Sequence, residues 1–275
     1  MDYDIIILEV SNMRDVHVHF LHGAKCGYSM EFFDSYVKKA VEMGLEEIYL
    51  LEHTHHFFEF EKIYTPCIEY NHTQRKWLTS DLRGTIEDYL HFIQSIKPLI
   101  GKLPIKINFG LEVCYIPETS GKLINILKQY CFDFLTGGIH SINGWVFDDP
   151  SQKELWHNVN VNNMYHRYYE IMFELCDSGL FTGLAHPDSI KCFGYNPTCD
   201  LTDQYHKLAI GLNKNNMYTE NNGGLKLRYN PALELGLNNN LLNILKQNNV
   251  KICTASDAHQ INDIGAYIRE LEAMI

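Results

Sequence analysis

Short apolar runs alternate along the chain with longer stretches whose apolar positions recur at helical spacing. Residues 13–19 read as the first strand, and residues 31–43 as a helix with Phe32, Phe33, Tyr36, Val37, Ala40 and Val41 at helical spacing and Gly44 as its C-cap. A strand over 47–51 ends at Glu52-His53. A polar loop over 55–77 then leads to a helix over 79–100. The pattern repeats as strand 105–109 reaching Glu112, helix 120–130, strand 132–136 reaching His140, and, after a loop rich in Asn, Asp and Gly, helix 162–178. It continues with strand 180–184 reaching His186, helix 200–213, strand 217–219 reaching Glu220, a helix within 231–247, strand 250–255 reaching Asp257, and a last helix over 262–274.

Strands alternating with helices imply a parallel sheet, here of about seven β/α units. The 275-residue length suits a TIM-like barrel better than a doubly wound sheet, and no linker divides residues 1–275, so a single domain is expected. No glycine-rich loop follows the first strand, which argues against a dinucleotide or P-loop nucleotide site.

Composition narrows the partners. With 34 Asp and Glu against 23 Lys and Arg, the formal net charge is −11. That balance argues against non-specific nucleic-acid binding, though not against a small phosphorylated substrate held in a locally cationic pocket. None of the eight Cys forms a C-x-x-C pair, so a zinc ribbon is not expected, and buried thiols in a reducing cytoplasm are. The start, Met1-Asp2-Tyr3-Asp4, has no basic leader, and the apolar run at 5–8 is too short for a membrane span; it reads as an extra strand or ordered leader.

Chemistry concentrates at the strand ends. His17 and His19 are two apart on the first strand, so both imidazoles face one side. Later strands end in His53, Glu112, His140 and His186, and the last in Asp257 and His259, again two apart. In barrels, catalytic residues come from the C-terminal ends of several strands. Buried polar groups need partners, and a metal satisfies many at once. Imidazole and carboxylate without thiolate suits Zn²⁺, Fe²⁺ or Mn²⁺. The donors outnumber what one ion takes, which points to two or three ions with Glu112 bridging; such ions generate hydroxide near neutral pH and clamp attacking and leaving oxygens.

These residues resemble the motifs of the PHP (polymerase and histidinol phosphatase) family. Asp15-Val16-His17-Val18-His19 is similar to its opening motif, Leu51-Glu52-His53 to the second, Gly110-Leu111-Glu112 to the third, Gly138-Ile139-His140 to the fourth, and Ser256-Asp257-Ala258-His259 to the last. Three further segments resemble the histidinol-phosphate phosphatase branch: residues 144–150 around Trp145, residues 185–191 with Phe193-Gly194, and Glu220-Asn221-Asn222-Gly223-Gly224-Leu225. The resemblance implies a distorted (β/α)₇ barrel with a trinuclear site. His17, His19, Glu112 and Asp257 would hold one ion, Glu112, His140 and His186 a second, and His53, His259 and His22 a third. The chain departs from the family in three places. His22-Gly23 follows the opening pair after only two residues, Lys226 stands where the branch has Arg, and Ser141 replaces an aromatic residue.

The resulting expectation is a metal-dependent phosphate monoester hydrolase, a histidinol-phosphatase-like enzyme of histidine biosynthesis, in which a metal-bridging hydroxide attacks phosphorus. Glu112 and Asp257 would be catalytic. Lys226, Arg228 and Lys191 would bind the phosphate, with Arg167 a weaker candidate, and His55 and His56 read as surface loop. The competing readings are a phosphodiesterase or nucleotide phosphatase of the same family, an amidohydrolase-like metal hydrolase, and a non-catalytic metal-binding protein.

Overall fold

The computed structural model describes residues 13–20, 27–229 and 233–275. The readings of residues 5–8 and of His22 lie outside the described residues.

Nine strands are described: β1 Arg14–His19, β2 Glu47–His53, β3 Lys106–Cys114, β4 Phe134–Gly138, β5 Ser141–Ile142, β6 Trp145–Val146, β7 Gly183–Leu184, β8 Tyr218–Asn222 and β9 Ile252–Ala255. Seven of them form one parallel sheet in the order β1-β2-β3-β4-β7-β8-β9, while β5 and β6 form a separate hairpin. The sheet nearly closes on itself. At the seam, the Asp257 N–H donates to the His17 carbonyl and the His19 N–H to the Ala258 carbonyl, both at 2.9 Å. The buried Asp15 carboxylate ties the same seam from behind, accepting the Ser256 N–H at 2.9 Å and the Gly265 N–H at 3.0 Å. The observed architecture is thus the expected distorted (β/α)₇ barrel.

Helices α1 Met30–Glu42, α2 Thr65–Tyr70, α3 His72–Ser80, α4 Ile86–Ile100, α5 Ser120–Leu127, α6 Val161–Asp177, α7 Thr202–Lys214, α8 Gly224–Arg228, α9 Asn239–Gln247 and α10 Ile268–Glu272 accompany the strands. The main core contains residues of the larger amphipathic helices, such as Phe33, Tyr89, Tyr169, Leu208 and Leu245, with outward strand residues such as Leu50 and Leu111. A small second cluster of Val16, Tyr218, Cys253 and Ala255, flanked by Tyr49, fills the barrel interior. There the Tyr218 and Thr136 hydroxyls meet at 2.6 Å across β7. This plug makes the lower barrel a packed core and leaves the upper end to polar side chains.

Two regions differ from the sequence pattern. The segment expected as a polar loop is mostly helical: two 3₁₀ segments, Thr54–His56 and Phe58–Tyr64, lead into α2 and α3. The long helix expected over 79–100 is two helices. Its second part starts at a capping box, in which the Thr85 hydroxyl accepts the Asp88 N–H while the Asp88 carboxylate accepts the Thr85 N–H. At the other end of the chain, α10 is shorter than expected because Gly265 and Tyr267 both take positive φ, 75° and 61°, which no helix accommodates.

Candidate metal centre

β1 carries one extra residue between Asp15 and Val18 relative to β2. His17, within this bulge, and His19, just beyond it, both point into the barrel mouth with zero exposure. On the next strands register does the work: His53 pairs with Glu112, and Glu112 with Thr136, so their side chains share one face. His186 and Asp257 follow β7 and β9 in left-handed backbone, at φ 25° and 57°. Positive φ in non-glycine residues costs on the order of 1–3 kcal/mol and clusters at functional sites.

The side chains converge on Glu112, which is 1 % exposed. Its Oε1 lies 2.9 Å from both His140 Nε2 and His186 Nε2. Its Oε2 has His53 Nδ1 at 2.8 Å and His17 Nε2 and His19 Nε2 at 3.4 Å. Despite these neighbours, Oε2 is buried and accepts no well-formed hydrogen bond among the described residues. His17 Nε2 and His19 Nε2 approach to 3.1 Å, and Asp257 Oδ1 lies 3.3 Å from His19 Nε2 and 3.6 Å from His17 Nε2. His19 packs against the rings of both His53 and His259, each centroid 4.0 Å away, and those two rings lie 5.6 Å from each other. Three overlapping groups with metal-ligand spacing result: His17, His19 and Asp257; His17, Glu112 and His186; and His19, His53 and His259. Nitrogens and carboxylate oxygens aimed at common points, with an ill-bonded carboxylate oxygen among them, fit divalent ions.

Glycines keep the nest open. A Cβ on Gly138 would lie 2.9 Å from His140 Nε2 and 3.0 Å from Glu112 Oε1, and one on Gly224 would lie 2.6 Å from Asp257 Oδ2.

A further layer orients the imidazoles. His17 Nδ1 meets the fully buried Glu220 carboxylate at 2.9 Å, and His140 Nδ1 meets Asp148 at 2.8 Å. A carboxylate behind an imidazole fixes which nitrogen faces the centre and raises its basicity. Asp148 reaches His140 because Asn143 and Gly144, at φ 52° and 80°, turn β5 back into β6, as Asn-Gly hairpins do. Sequence reading placed Glu220 at a strand end and Asp148 in a family motif but assigned neither a role. An acid eight residues beyond a strand-end His, across an Asn-Gly turn, was the available signal for Asp148.

The electrostatics follow from this crowding. Burial alone would lower the pKa of His17, but Glu220, Asp257 and Glu112 overcome it and raise it well above the ordinary value. The same competition, won by Glu112 and Asp148, takes His140 up to about 10. His19 and His53 shift the other way, because burial and neighbouring imidazoles disfavour their charge. Burial would raise Glu112, yet the surrounding imidazoles hold it well below the carboxylate range. Burial would likewise raise Asp257, and Arg228 and His17 hold it low.

The nest opens into a cavity of about 600 Å³ lined in part by His53, His140, His186, Asp257, His259 and Arg228. Arg228 grips Asp257 with both nitrogens, at 2.7 and 2.9 Å, and also touches His259. The other two expected phosphate contacts sit differently. Lys191, 5 % exposed, is absent from the cavity lining and spends its ammonium on Asp188 at 2.6 Å, Glu234 at 3.0 Å and the Gly236 carbonyl at 2.9 Å. Lys226 donates to the Leu233 carbonyl at 3.0 Å and is also absent from the lining. Arg167 pairs with Glu170 and Glu174 on the outside of α6. His55, expected at the surface, instead lines the cavity.

The chain is 26 % identical over 285 residues to the histidinol-phosphatase of Bacillus subtilis, covering 94 % of this chain and 98 % of that one. It is 22 % identical over 249 residues to a Deinococcus radiodurans protein named a probable histidinol-phosphatase, covering 89 % and 86 %. Among solved structures, HisK of Listeria monocytogenes matches with a TM-score of 0.72 at 17 % identity over 92 % of this chain and 98 % of that one. Histidinol phosphate phosphatase of Lactococcus lactis, solved with zinc, L-histidinol and phosphate, matches with a TM-score of 0.66 at 17 % identity over 95 % and 93 %. The family model described as the PHP domain matches residues 15–223, and this protein therefore belongs to the PHP domain family.

Proposed function

We propose that this protein is a metal-dependent phosphate monoester hydrolase whose substrate is histidinol phosphate, with two or three divalent ions at the barrel mouth. The observation that carries the reading is the placement of Glu112, one oxygen facing His140 and His186 and the other facing His17, His19 and His53. A carboxylate shared in this way would serve two neighbouring ions at once. His17, His19, Glu112 and Asp257 would hold the first ion, Glu112, His140 and His186 the second, and His53 and His259 the third, with His22 the further ligand that the family resemblance implies. Mixed imidazole and carboxylate donors suit zinc, manganese or iron, and zinc is the metal named with the Lactococcus relative. When bound, the ions supply a nucleophilic hydroxide near neutral pH and positive charge for the phosphoryl oxygens.

The chain's own groups do the rest. Glu220 and Asp148 hold His17 and His140 with Nε2 aimed inward. Asp257, kept ionised by Arg228, acts as a ligand and not as the acid for the leaving alkoxide. Arg228 faces the cavity beside it and is the phosphate contact, through the guanidinium N–H groups that its grip on Asp257 leaves over. Lys191 and Lys226 hold the segments around them in place. The substrate assignment rests on the similarity to histidinol-phosphatases together with a cavity large enough for a small phosphate ester. The described cysteines are all free thiols, which suits the expected cytoplasm.

The test is phosphate release from histidinol phosphate by the metal-loaded protein, alongside an aryl phosphate, a bis-ester and a cyclic amide. Metal-dependent turnover of the monoesters, fastest for histidinol phosphate and abolished by a chelator, is expected. Hydrolysis of the amide or the bis-ester alone would overturn the reading.

A further inference from the structure

A second group of donors stands at the cavity rim, apart from the Glu112 cage. His55 Nε2 lies 3.1 Å and His56 Nε2 3.4 Å from the same oxygen, Oδ2 of Asp81. The donor atoms of the three residues all lie within 4.8 Å of one another. Two donors of one tetrahedral zinc, each about 2.0–2.1 Å from the ion, stand ~3.3 Å apart. The measured separations match that edge, as do the 3.3 to 3.4 Å separations from His19 to Asp257 and Glu112 in the main cage. We propose that His55, His56 and Asp81 form an additional site for a divalent cation of the zinc type, distinct from the ions held around Glu112.

Features beyond the triad support it. Glu52, 3 % exposed, stands behind His56 with its Oε2 3.3 Å from Nδ1, the same carboxylate–imidazole arrangement that orients His17 and His140 in the main cage. Arg83 takes the other oxygen of Asp81 at 2.6 Å, which fixes the carboxylate plane and leaves Oδ2 to the imidazoles. With neutral imidazoles, Glu52, Asp81 and Arg83 sum to one negative charge, which favours a cation. His55, Asp81 and Arg83 all line the cavity that the main cage opens into, and the His55 ring lies 4.6 Å from that of His53. Three protein ligands leave a fourth position for water or a nitrogen or oxyanion donor of a bound small molecule, with access through the cavity that His55 and Asp81 line. The excursion between β2 and α4 thereby gains a second tie besides its packing.

The test counts zinc and does not depend on turnover. Chelator-stripped protein is dialysed against Zn²⁺, and bound zinc per chain is measured for wild type, Asp81→Asn and His55→Gln. Each variant is expected to bind one equivalent fewer than wild type. The double variant His17→Ala/Glu112→Gln, which dismantles the main cage, is expected to keep the equivalent that Asp81→Asn removes. Equal zinc content in wild type and the rim variants would overturn the site and leave a hydrogen-bonded network in its place. Should the variants fail to fold, zinc-edge anomalous diffraction from wild-type crystals decides: a peak between His55, His56 and Asp81 supports the site, and its absence from zinc-loaded crystals refutes it. Loss of phosphatase activity bears on the proposed function alone, whereas these zinc counts bear on the rim.

Discussion

The floor of the site and its rim are built by different means. On the floor, His17, His19, His53 and Glu112 are strand residues, placed by a β-bulge and a parallel register, and three of the four are at most 1 % exposed. On the rim, His55, His56 and Asp81 ride on a helical excursion of 3₁₀ turns and short helices between β2 and α4. Backbone pairing holds the floor on both sides. The rim instead depends on side-chain ties, chief among them the fully buried Gln74, whose amide donates to the Cys67 and Gly144 carbonyls and accepts the Val146 N–H. A ladder tolerates the loss of one contact, whereas a single amide serving three backbone groups does not.

The largest effect should come from the floor. Glu112→Gln keeps the shape and removes the shared charge, and turnover should fall by more than the roughly 10–100-fold lost with an orienting partner, with the fold retained by circular dichroism. Undiminished phosphate release would break the assignment. Gly138→Ala should also act on the floor without touching a ligand, because its methyl would sit against His140 and Glu112. A drop in zinc affinity that exceeds any loss of thermal stability is expected, and the reverse ranking would show that the glycine serves packing alone.

The orienting carboxylates rank next. Glu220→Gln and Asp148→Asn should each lower metal affinity or activity by about 10–100-fold. Titration of the stripped protein with zinc, followed by turnover at saturating metal, separates weakened binding from impaired chemistry. A smaller, rim-specific effect is expected of Gln74→Ala, which leaves the Val146 N–H and two buried carbonyls without this partner. A loss of about 1–3 kcal/mol follows if one of these groups stays unsatisfied. Denaturant unfolding measures it, and a change under about 0.5 kcal/mol would show that water replaces the amide.

pH sharpens the contrast further. In the metal-free protein His140 titrates at about 10, so it carries a proton at pH 7. Zinc must displace that proton, so loading should release protons and apparent affinity should rise with pH towards 10. Metal-free stability should move the other way. A folded-state pKa raised above the unfolded value of 6.5 means that the folded chain binds more protons between those limits. The stability that His140 contributes is therefore full below about pH 6.5 and lost as pH rises through about 10. Calorimetry in buffers of different ionisation enthalpy checks the first trend, and chemical denaturation in chelator checks the second.

The same division governs what was legible in the sequence. Apolar runs ending in His or acid residues mark the floor strands, because a parallel barrel strand is buried on both faces and its chemistry falls at one end. Even there the strand limits shift: Glu112 and Gly138 lie within β3 and β4 and not beyond them. The rim carried no such pattern. In α3 the buried residues are Gln74 and Leu78, so no apolar stripe announces a helix, and its anchor is a polar side chain that reads as solvent-facing. His55 looked like loop surface for the same reason. Arg228, Lys191 and Lys226 show the limit for charged residues. Sequence places all three near the site, but only the fold reveals that Lys191 is enclosed by Asp188 and Glu234 while Arg228 reaches Asp257.

Zinc-edge anomalous diffraction from metal-loaded crystals tests the central claim most directly. Two or three peaks clustered about Glu112, within bonding reach of His17, His19, His140, His186 and Asp257, are expected. An empty cage in fully loaded crystals, or a single ion that leaves Glu112 unligated, would contradict it.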